Sequence, residues 1–211
     1  MSDIILFDYF RSSASYRVRI ALALKEVVYQ SVPTSLLTGE NKAADYVARN
    51  PQGFVPMLSI DGEDLTQSLA IIDYLDAKFP HAPLLPAHPL ARAKVIADAM
   101  IIIADIHPLD NLRVLKYLKN ELDQEQADVD DWYRHWVLEG LKALEARAPE
   151  TGFFGGDKPN LVDVCLVPQM YNGRRFNTPM DGFAKLVRIE AACNAIEAFA
   201  NAHPDIVNPD A

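Results

Sequence analysis

Cysteine is scarce in this chain, which has two cysteines among 211 residues, Cys165 and Cys193. Two thiols cannot form the several disulfides that hold many small secreted domains together. Both lie in segments with a helical pattern and lack the spacing of metal ligands, and the five histidines suggest no metal site either. The two cysteines are typical of small buried side chains in a reducing compartment. We therefore expect a cytoplasmic protein without a metal site.

The sequence also lacks an excess of positive charge and long apolar runs. Lysine and arginine number 20 against 29 acidic residues, which gives a net charge of −9 and a pI near 5.0. No basic run offers the stripe of positive charge that follows a phosphate backbone. No apolar stretch approaches the roughly 20 residues of a membrane span, and the first residues lack the pattern of a signal peptide. The sequence thus predicts a soluble protein that binds neither nucleic acid nor membrane.

Half of the residues are hydrophobic, enough for one large core or two modest ones. The first 80 residues alternate between strand and helix patterns in the order βαβ, helix, ββα, which predicts a thioredoxin-like α/β domain. The predicted strands are 4–7, 27–32, 57–60 and 64–66, and the predicted helices are 14–25, 41–49 and one that Ser68 caps, ending near Phe79.

Pro80 and three further prolines, Pro83, Pro86 and Pro89, then mark a linker over residues 81–89. The remaining residues, 90–211, have only helical patterns. Apolar residues at spacings of three and four predict a long helix up to Ile106, and Pro108 predicts a kink or break. Further helices are predicted over 130–148 and 184–201. In the sequence between these two helices, Asn160 and Asp163 form a capping box that begins another helix.

The most informative segment runs from Arg11 to Leu22, between the first strand and the first helix. Small hydroxyl residues at such a turn cap the amides of the first helical turn, and they leave donors beside the positive end of the helix dipole. This place stabilises an anion such as a carboxylate or a thiolate. A plain serine cap without further function is the alternative interpretation.

This segment resembles the signature of the zeta-class glutathione transferases, also known as maleylacetoacetate isomerases, Ser-Ser-Cys-x-Trp-Arg-Val-Arg-Ile-Ala-Leu. Eight positions match, whereas Ala14 replaces the cysteine and Tyr16 the tryptophan. The resemblance covers nearly the whole chain. It implies the glutathione transferase fold: an α/β thioredoxin-like N-terminal domain (1–80), the linker (81–89) and an all-α C-terminal domain (90–211). It also implies a homodimer.

The resemblance implies glutathione as cofactor. The stretch from Asn50 to Pro56 resembles the family's glutathione-recognition loop, in which a cis proline turns the preceding backbone toward the extended peptide. The glutathione-binding positions that the resemblance implies are Ser12, Gln52, Val55, Pro56, Gln67, Ser68, His107 and Asn111. For Ser68, simple capping of a helix uses the same geometry.

Ser12 aligns with the family's catalytic serine, and Ser13 is the alternative donor. A free thiol has a pKa near 8.5, and a hydroxyl donor at a helix N-terminus would lower it by stabilising the sulfur anion. Ala14 cannot take over the role of the family's cysteine, so thiolate activation would depend on serine alone.

Arg11 and Arg175 align with family arginines at the substrate pocket, and His107 aligns with a residue that faces the substrate. Two arginines suit a dicarboxylate, because each guanidinium can bind one carboxylate bidentately. The alternative for Arg174 and Arg175 is stabilisation of a helix C-terminus. For His107 it is a structural histidine.

The implied activity is glutathione-dependent cis–trans isomerisation of maleylacetoacetate to fumarylacetoacetate, in aromatic amino-acid breakdown. The same residues suit a maleylpyruvate isomerase, which also lacks the cysteine, or a conjugating transferase that acts on haloacids. A non-catalytic interaction module of the same fold would not need Ser12, Gln67, Ser68 or Arg175. The sequence does not choose between the two isomerase substrates.

Overall fold

A computed structural model describes residues 3–208. The chain forms two compact units: one comprises the residues up to Pro83 together with those from Ala195 onward, and the other runs from Leu84 to Asn194. The second unit is thus continuous, whereas the first takes its residues from both ends of the chain.

The first unit contains a four-stranded mixed sheet with helices. The strands are β1 (Ile5–Asp8), β2 (Gln30–Pro33), β3 (Met57–Ile60) and β4 (Glu63–Thr66), and the main helices are α1 (Ser13–Leu24), α2 (Ala44–Arg49) and α3 (Ser68–Lys78). The sheet order is β2-β1-β3-β4, with β1 parallel to β2 and the other pairs antiparallel. This confirms the thioredoxin-like order, in which the parallel pair requires the crossover helix α1.

Two elements of the first 80 residues differ most clearly in their bounds from the sequence prediction. Strand β2 begins three residues late, because Glu26 adopts a positive φ of 51° and the N–H of Val27 bonds back to Leu22. The predicted helix over 41–49 is divided by Ala43, whose extended backbone separates a short 3₁₀ turn (Glu40–Lys42) from α2. Both differences arise from local turn geometry that apolar periodicity does not encode.

The C-terminal segment joins the first unit through two residues of α1. Arg19 is buried, and its Nε donates to the carbonyl of Ala202 at 3.1 Å. The hydroxyl of Tyr16 lies 3.5 Å from the carbonyl of Phe199, whose ring is fully buried. These contacts explain why residues after Asn194 pack with the first unit, although their sequence pattern is only helical.

The second unit is helical. Its helices are α4 (Pro89–Met100), α5 (His107–Asp110), α6 (Leu112–Asn120), α7 (Gln126–Arg147), α8 (Leu161–Arg175) and α9 (Ala184–Asn194); the short helices α10 (Glu197–Asn201) and α11 (Pro204–Val207) belong to the first unit. The capping box is confirmed, since Asn160 accepts from the first turn of α8 and Asp163 accepts from the N–H of Asn160. Helix α6 was not expected from the sequence. The helix predicted over 184–201 is divided into α9 and α10, because Ile196 has extended backbone.

The expected break near Pro108 takes the form of a π-helical turn, Ile101–Ile106, followed by the single turn of α5. Pro108 has no N–H to continue an α-helix, and the wider turn removes the need for one. The turn is accommodated by Gly140 of α7, where a Cβ would lie 2.3 Å from the side chain of Ile106. Gly140 therefore allows this close approach.

Within residues 3–208, no helix combines the length and the low polarity needed to cross a membrane.

Candidate active site

Ser12 is the N-cap of α1, which starts one residue earlier than the sequence predicts. Its backbone is extended (φ −69°, ψ 119°), and its Oγ accepts a hydrogen bond from the N–H of Ser15 at 3.2 Å. Because Oγ acts here as acceptor, the hydroxyl hydrogen remains available to donate. The side chain is half-buried. Ser12 thus places a donor beside the positive end of α1.

The neighbouring hydroxyls differ from that of Ser12. Ser13 and Ser15 are buried, and their Oγ atoms have no hydrogen-bond partner within the described part of the chain. A hydroxyl enclosed in this way is poorly accessible to a ligand. Of the two serines singled out from the sequence, Ser12 has the more accessible hydroxyl.

The loop before β3 is fixed by side chains that hold the carbonyl of Phe54. Tyr46 donates to it at 2.6 Å and Asn50 at 2.8 Å. The following bond, Val55–Pro56, is cis, as the resemblance implied. The N–H and C=O of Val55 take no part in the loop hydrogen bonds of the described residues. Peptide groups of this kind can pair with an extended ligand.

Gln67, not Ser68, is the N-cap of α3, so the prediction that Ser68 caps this helix was wrong. Gln67 has a positive φ of 67°, which is strained for a residue with a side chain, and its Nε2 donates to Gln52 Oε1 at 2.8 Å. Ser68 is the first helical residue; it is buried, and its Oγ lies 3.4 Å from Nη1 of Arg17. Two exposed amides therefore meet beside the start of α3.

In the second unit, the structure brings His107 and Asn111 together. His107 begins α5, and its Nε2 lies 3.5 Å from Nδ2 of Asn111. Asn111 also caps α6, because its Oδ1 accepts from the N–H of Arg113 at 3.1 Å. Both side chains are half-buried. This pair offers polar groups at the junction of two short helices.

The two arginines at the end of α8 have different environments. Arg174 forms an ion pair with the buried Glu190, which raises the pKa of the guanidinium. Arg175 is exposed, and among the described residues it has no ion pair; its guanidinium lies 5.9 Å from the ring centre of Tyr171. In the first unit, Arg11 is similarly exposed, 4.9 Å from the ring of Phe10. The guanidinium groups of Arg11 and Arg175 can donate to a ligand's carboxylate, whereas that of Arg174 is already paired with Glu190.

Sequence reasoning missed a buried polar cluster inside the second unit, formed by Asp110, Tyr133 and Gln169. Gln169 Nε2 donates to Asp110 Oδ2 at 2.9 Å, and all three side chains are buried. Burial raises the pKa of Tyr133 well above its usual value, and the nearby carboxylate of Asp110 adds to this effect. One signal was available: Gln169 is a lone amide within an apolar helical run.

Comparison with known proteins identifies the family. Residues 2–77 match the N-terminal domain of glutathione S-transferase. The maleylacetoacetate isomerase of Rhizobium meliloti is 46% identical over 99% of both chains. The holo structure of a maleylpyruvate isomerase, a zeta-class bacterial glutathione S-transferase, is 36% identical with a TM-score of 0.95, over 98% of this chain and 100% of that one.

A further solved structure is similar over nearly the whole chain. It is the maleylacetoacetate isomerase of Methylobacterium extorquens AM1 with bound malonate and glutathione, which is 37% identical with a TM-score of 0.93, over 98% of this chain and 99% of that one. The serine turn, the cis-proline loop and these likenesses agree. The chain belongs to the zeta class of the glutathione transferases, the family of the maleylacetoacetate isomerases.

Proposed function

We propose that this protein is a glutathione-dependent cis–trans isomerase that converts maleylacetoacetate to fumarylacetoacetate. The observation that carries the proposal is the hydrogen bonding of the Ser12 hydroxyl. Its Oγ accepts from the first turn of α1, so that its own hydrogen is left to donate to a bound sulfur anion. The relative from Rhizobium meliloti, which carries the name of this activity, supports the assignment.

The first unit offers groups that fit glutathione. The peptide groups of Val55 can pair with the backbone of the tripeptide, as strand addition does generally. Gln52, Gln67 and the N–H groups at the start of α3, beginning with Ser68, suit the γ-glutamyl end, whose carboxylate is favoured at a helix N-terminus. The bound glutathione of the Methylobacterium extorquens structure supports this assignment. His107 and Asn111 are proposed as further contacts.

Bound glutathione supplies a thiolate that adds reversibly to the cis alkene, which allows rotation about the former double bond. Two features of this chain stabilise that thiolate. Ser12 holds the sulfur in its anionic form through a charge-assisted hydrogen bond, which is stronger than a neutral one. The dipole of α1 acts in the same direction. No general base is required, because a lower thiol pKa alone provides the anion at neutral pH.

Arg175 and Arg11 are proposed to bind the carboxylates of the substrate. Arg175 has no acidic partner among the described residues, whereas its neighbour Arg174 is paired with Glu190. A dicarboxylate that leaves water on binding needs such cations. The malonate in the Methylobacterium extorquens structure is a dicarboxylate, which supports this substrate class.

Maleylpyruvate is the second candidate substrate. Ala14 is compatible with this substrate, because the related maleylpyruvate isomerases also lack the family's cysteine. The fold similarity to a maleylpyruvate isomerase is also close. Both candidates use the same residues in the same roles.

We propose a cytoplasmic homodimer that acts in the breakdown of phenylalanine and tyrosine. Residues 1–80 are proposed as the glutathione-binding domain, 81–89 as the linker and 90–211 as the substrate domain. Buried thiols, which suit a reducing compartment, support the cytoplasmic assignment.

The decisive experiment follows loss of each cis substrate while total free thiol is titrated. We expect turnover during which the concentration of free thiol stays constant. We also expect a higher kcat/KM for maleylacetoacetate than for maleylpyruvate. Loss of one thiol per turnover would show conjugation instead. The reverse ratio of kcat/KM would assign the maleylpyruvate activity.

A further inference from the structure

We infer that Tyr133 is a positioning residue that links the segment carrying His107 to the end of helix α8, which carries Arg175. The inference deepens the proposed function and depends on it, because it assigns Tyr133 a role in binding the dicarboxylate. Tyr133 lies in the middle of α7 and is buried, so it acts through its neighbours.

The hydroxyl of Tyr133 makes the first link. It forms a hydrogen bond with Asp110, the last residue of the short helix α5 that His107 begins. Asp110 is also buried, and its second donor is Gln169 of α8, at 2.9 Å. Trp132, the residue before Tyr133, donates to the carbonyl of Leu109 at 2.8 Å. Helix α7 thus holds α5 at two consecutive residues.

The ring of Tyr133 makes the second link. It stacks on Phe176 with ring centres 3.7 Å apart and planes within 9° of parallel. Phe176 is the C-cap of α8 and directly follows Arg175. Its carbonyl accepts from Nη1 of Arg134 at 3.3 Å. The positive charge of Arg175 lowers the pKa of Tyr133 and so opposes the effect of burial.

The arrangement has a physical reason. A buried carboxylate is costly unless donors surround it, and Asp110 receives its donors from α7 and α8. Loss of one donor leaves part of the free energy of burying the Asp110 carboxylate uncompensated. Movement of the short helix α5 is the structural change that relieves this at the lowest free energy. A structural role alone predicts lower stability with unchanged substrate binding. A positioning role predicts a change in KM that depends on Arg175.

The test compares Tyr133→Phe, which keeps the stacked ring and removes only the hydroxyl, with Gln169→Met, which removes the other donor. The matched control is Tyr74→Phe, because Tyr74 also donates to an aspartate, Asp61, but at the surface of the first unit. We expect each buried variant to raise the KM for the dicarboxylate roughly tenfold, since small misplacements of binding groups have large effects. The control should leave KM unchanged.

A double-mutant cycle separates positioning from stability. If Tyr133 acts through Arg175, then Tyr133→Phe adds little to the KM of Arg175→Met. Urea unfolding of every variant shows whether the fold persists, and Gln169→Met provides the test if Tyr133→Phe does not fold. Equal KM values in folded variants, or fully additive effects, would overturn the inference. Failure of the wild-type protein to isomerise any dicarboxylate would instead overturn the proposed function.

Discussion

Arg19 and Asp8 form a buried ion pair in which Nη1 of the arginine lies 2.8 Å from both carboxylate oxygens. The same guanidinium donates to the carbonyls of Phe10 and Ala202. Arg19 belongs to the signature segment that begins with Ser12, yet its task is structural. It connects β1, the loop before α1 and the C-terminal segment.

Loss of this pair is expected to be costly. Arg19→Met leaves the carboxylate of Asp8 buried without its cation, which should lower the free energy of unfolding by about 3–5 kcal/mol. The matched control is Arg49→Met, because Arg49 pairs with Asp64 at the surface and should contribute at most about 1 kcal/mol. Urea denaturation measures both. Similar losses in the two variants would contradict a special role for the buried pair.

Ser12→Ala should raise the pKa of enzyme-bound glutathione. A hydrogen bond to a charged group contributes roughly 1.5–3 kcal/mol, which corresponds to about one to two pH units. Ultraviolet thiolate absorbance of the complex, followed through a pH titration, measures this value. Ser13→Ala is the control, since its hydroxyl is buried, and it should leave the pKa unchanged. The opposite pattern would assign the donor to Ser13.

Arg175→Met and Arg174→Met should have different effects. Arg175→Met should raise the KM for the dicarboxylate by about tenfold or more, because a charge-assisted hydrogen bond is lost. Arg174→Met should mainly reduce stability, because Glu190 loses its partner while buried. Steady-state kinetics and urea unfolding separate the two effects. An unchanged kcat/KM in Arg175→Met would require a different anchor for the substrate.

Catalysis should need no protein thiol. Cys165 and Cys193 are both fully buried, and burial raises the pKa of the Cys193 thiol. A thiol-specific reagent should therefore react with neither cysteine in the folded protein and with both after unfolding in denaturant. Treated protein, after removal of the reagent, should retain its turnover with fresh glutathione. Rapid labelling accompanied by inactivation would show that one thiol reaches the site.

Asp163 should make stability depend on pH. Burial raises the pKa of its carboxyl from 3.8 to about 6, although the N–H groups of Phe154, Gly155 and Asn160 oppose the shift. The folded protein then binds more protons than the unfolded chain, so the contribution of Asp163 falls as pH rises from about 4 to about 6.

The expected loss over this range is about 3 kcal/mol, from 1.36 kcal/mol per unit of pKa shift. It is measured as the difference in the free energy of unfolding between wild type and Asp163→Asn at each pH, because groups common to both proteins cancel. A difference that grows with pH would show that the three backbone donors outweigh burial.

The sequence by itself determined the type of fold and the family to which the chain belongs. Apolar periodicity and turn residues predicted the order of β1, α1, β3, β4 and α3, because these are local properties of the chain. The capping box of Asn160 and Asp163 was predicted for the same reason, since both partners lie within one turn. Resemblance to a signature led from Ser12 to glutathione.

Only the tertiary structure decided which polar side chains are already paired. Arg174 and Arg175 are adjacent residues of the same type, but Glu190, sixteen residues after Arg174, pairs only with Arg174. In the same way, Asp110 obtains a donor from Gln169, 59 residues away. Such pairing depends on which helices pack together, and a one-dimensional pattern contains no information on contacts of that separation. Burial of charge without a partner is too costly to persist, so packing assigns the partners.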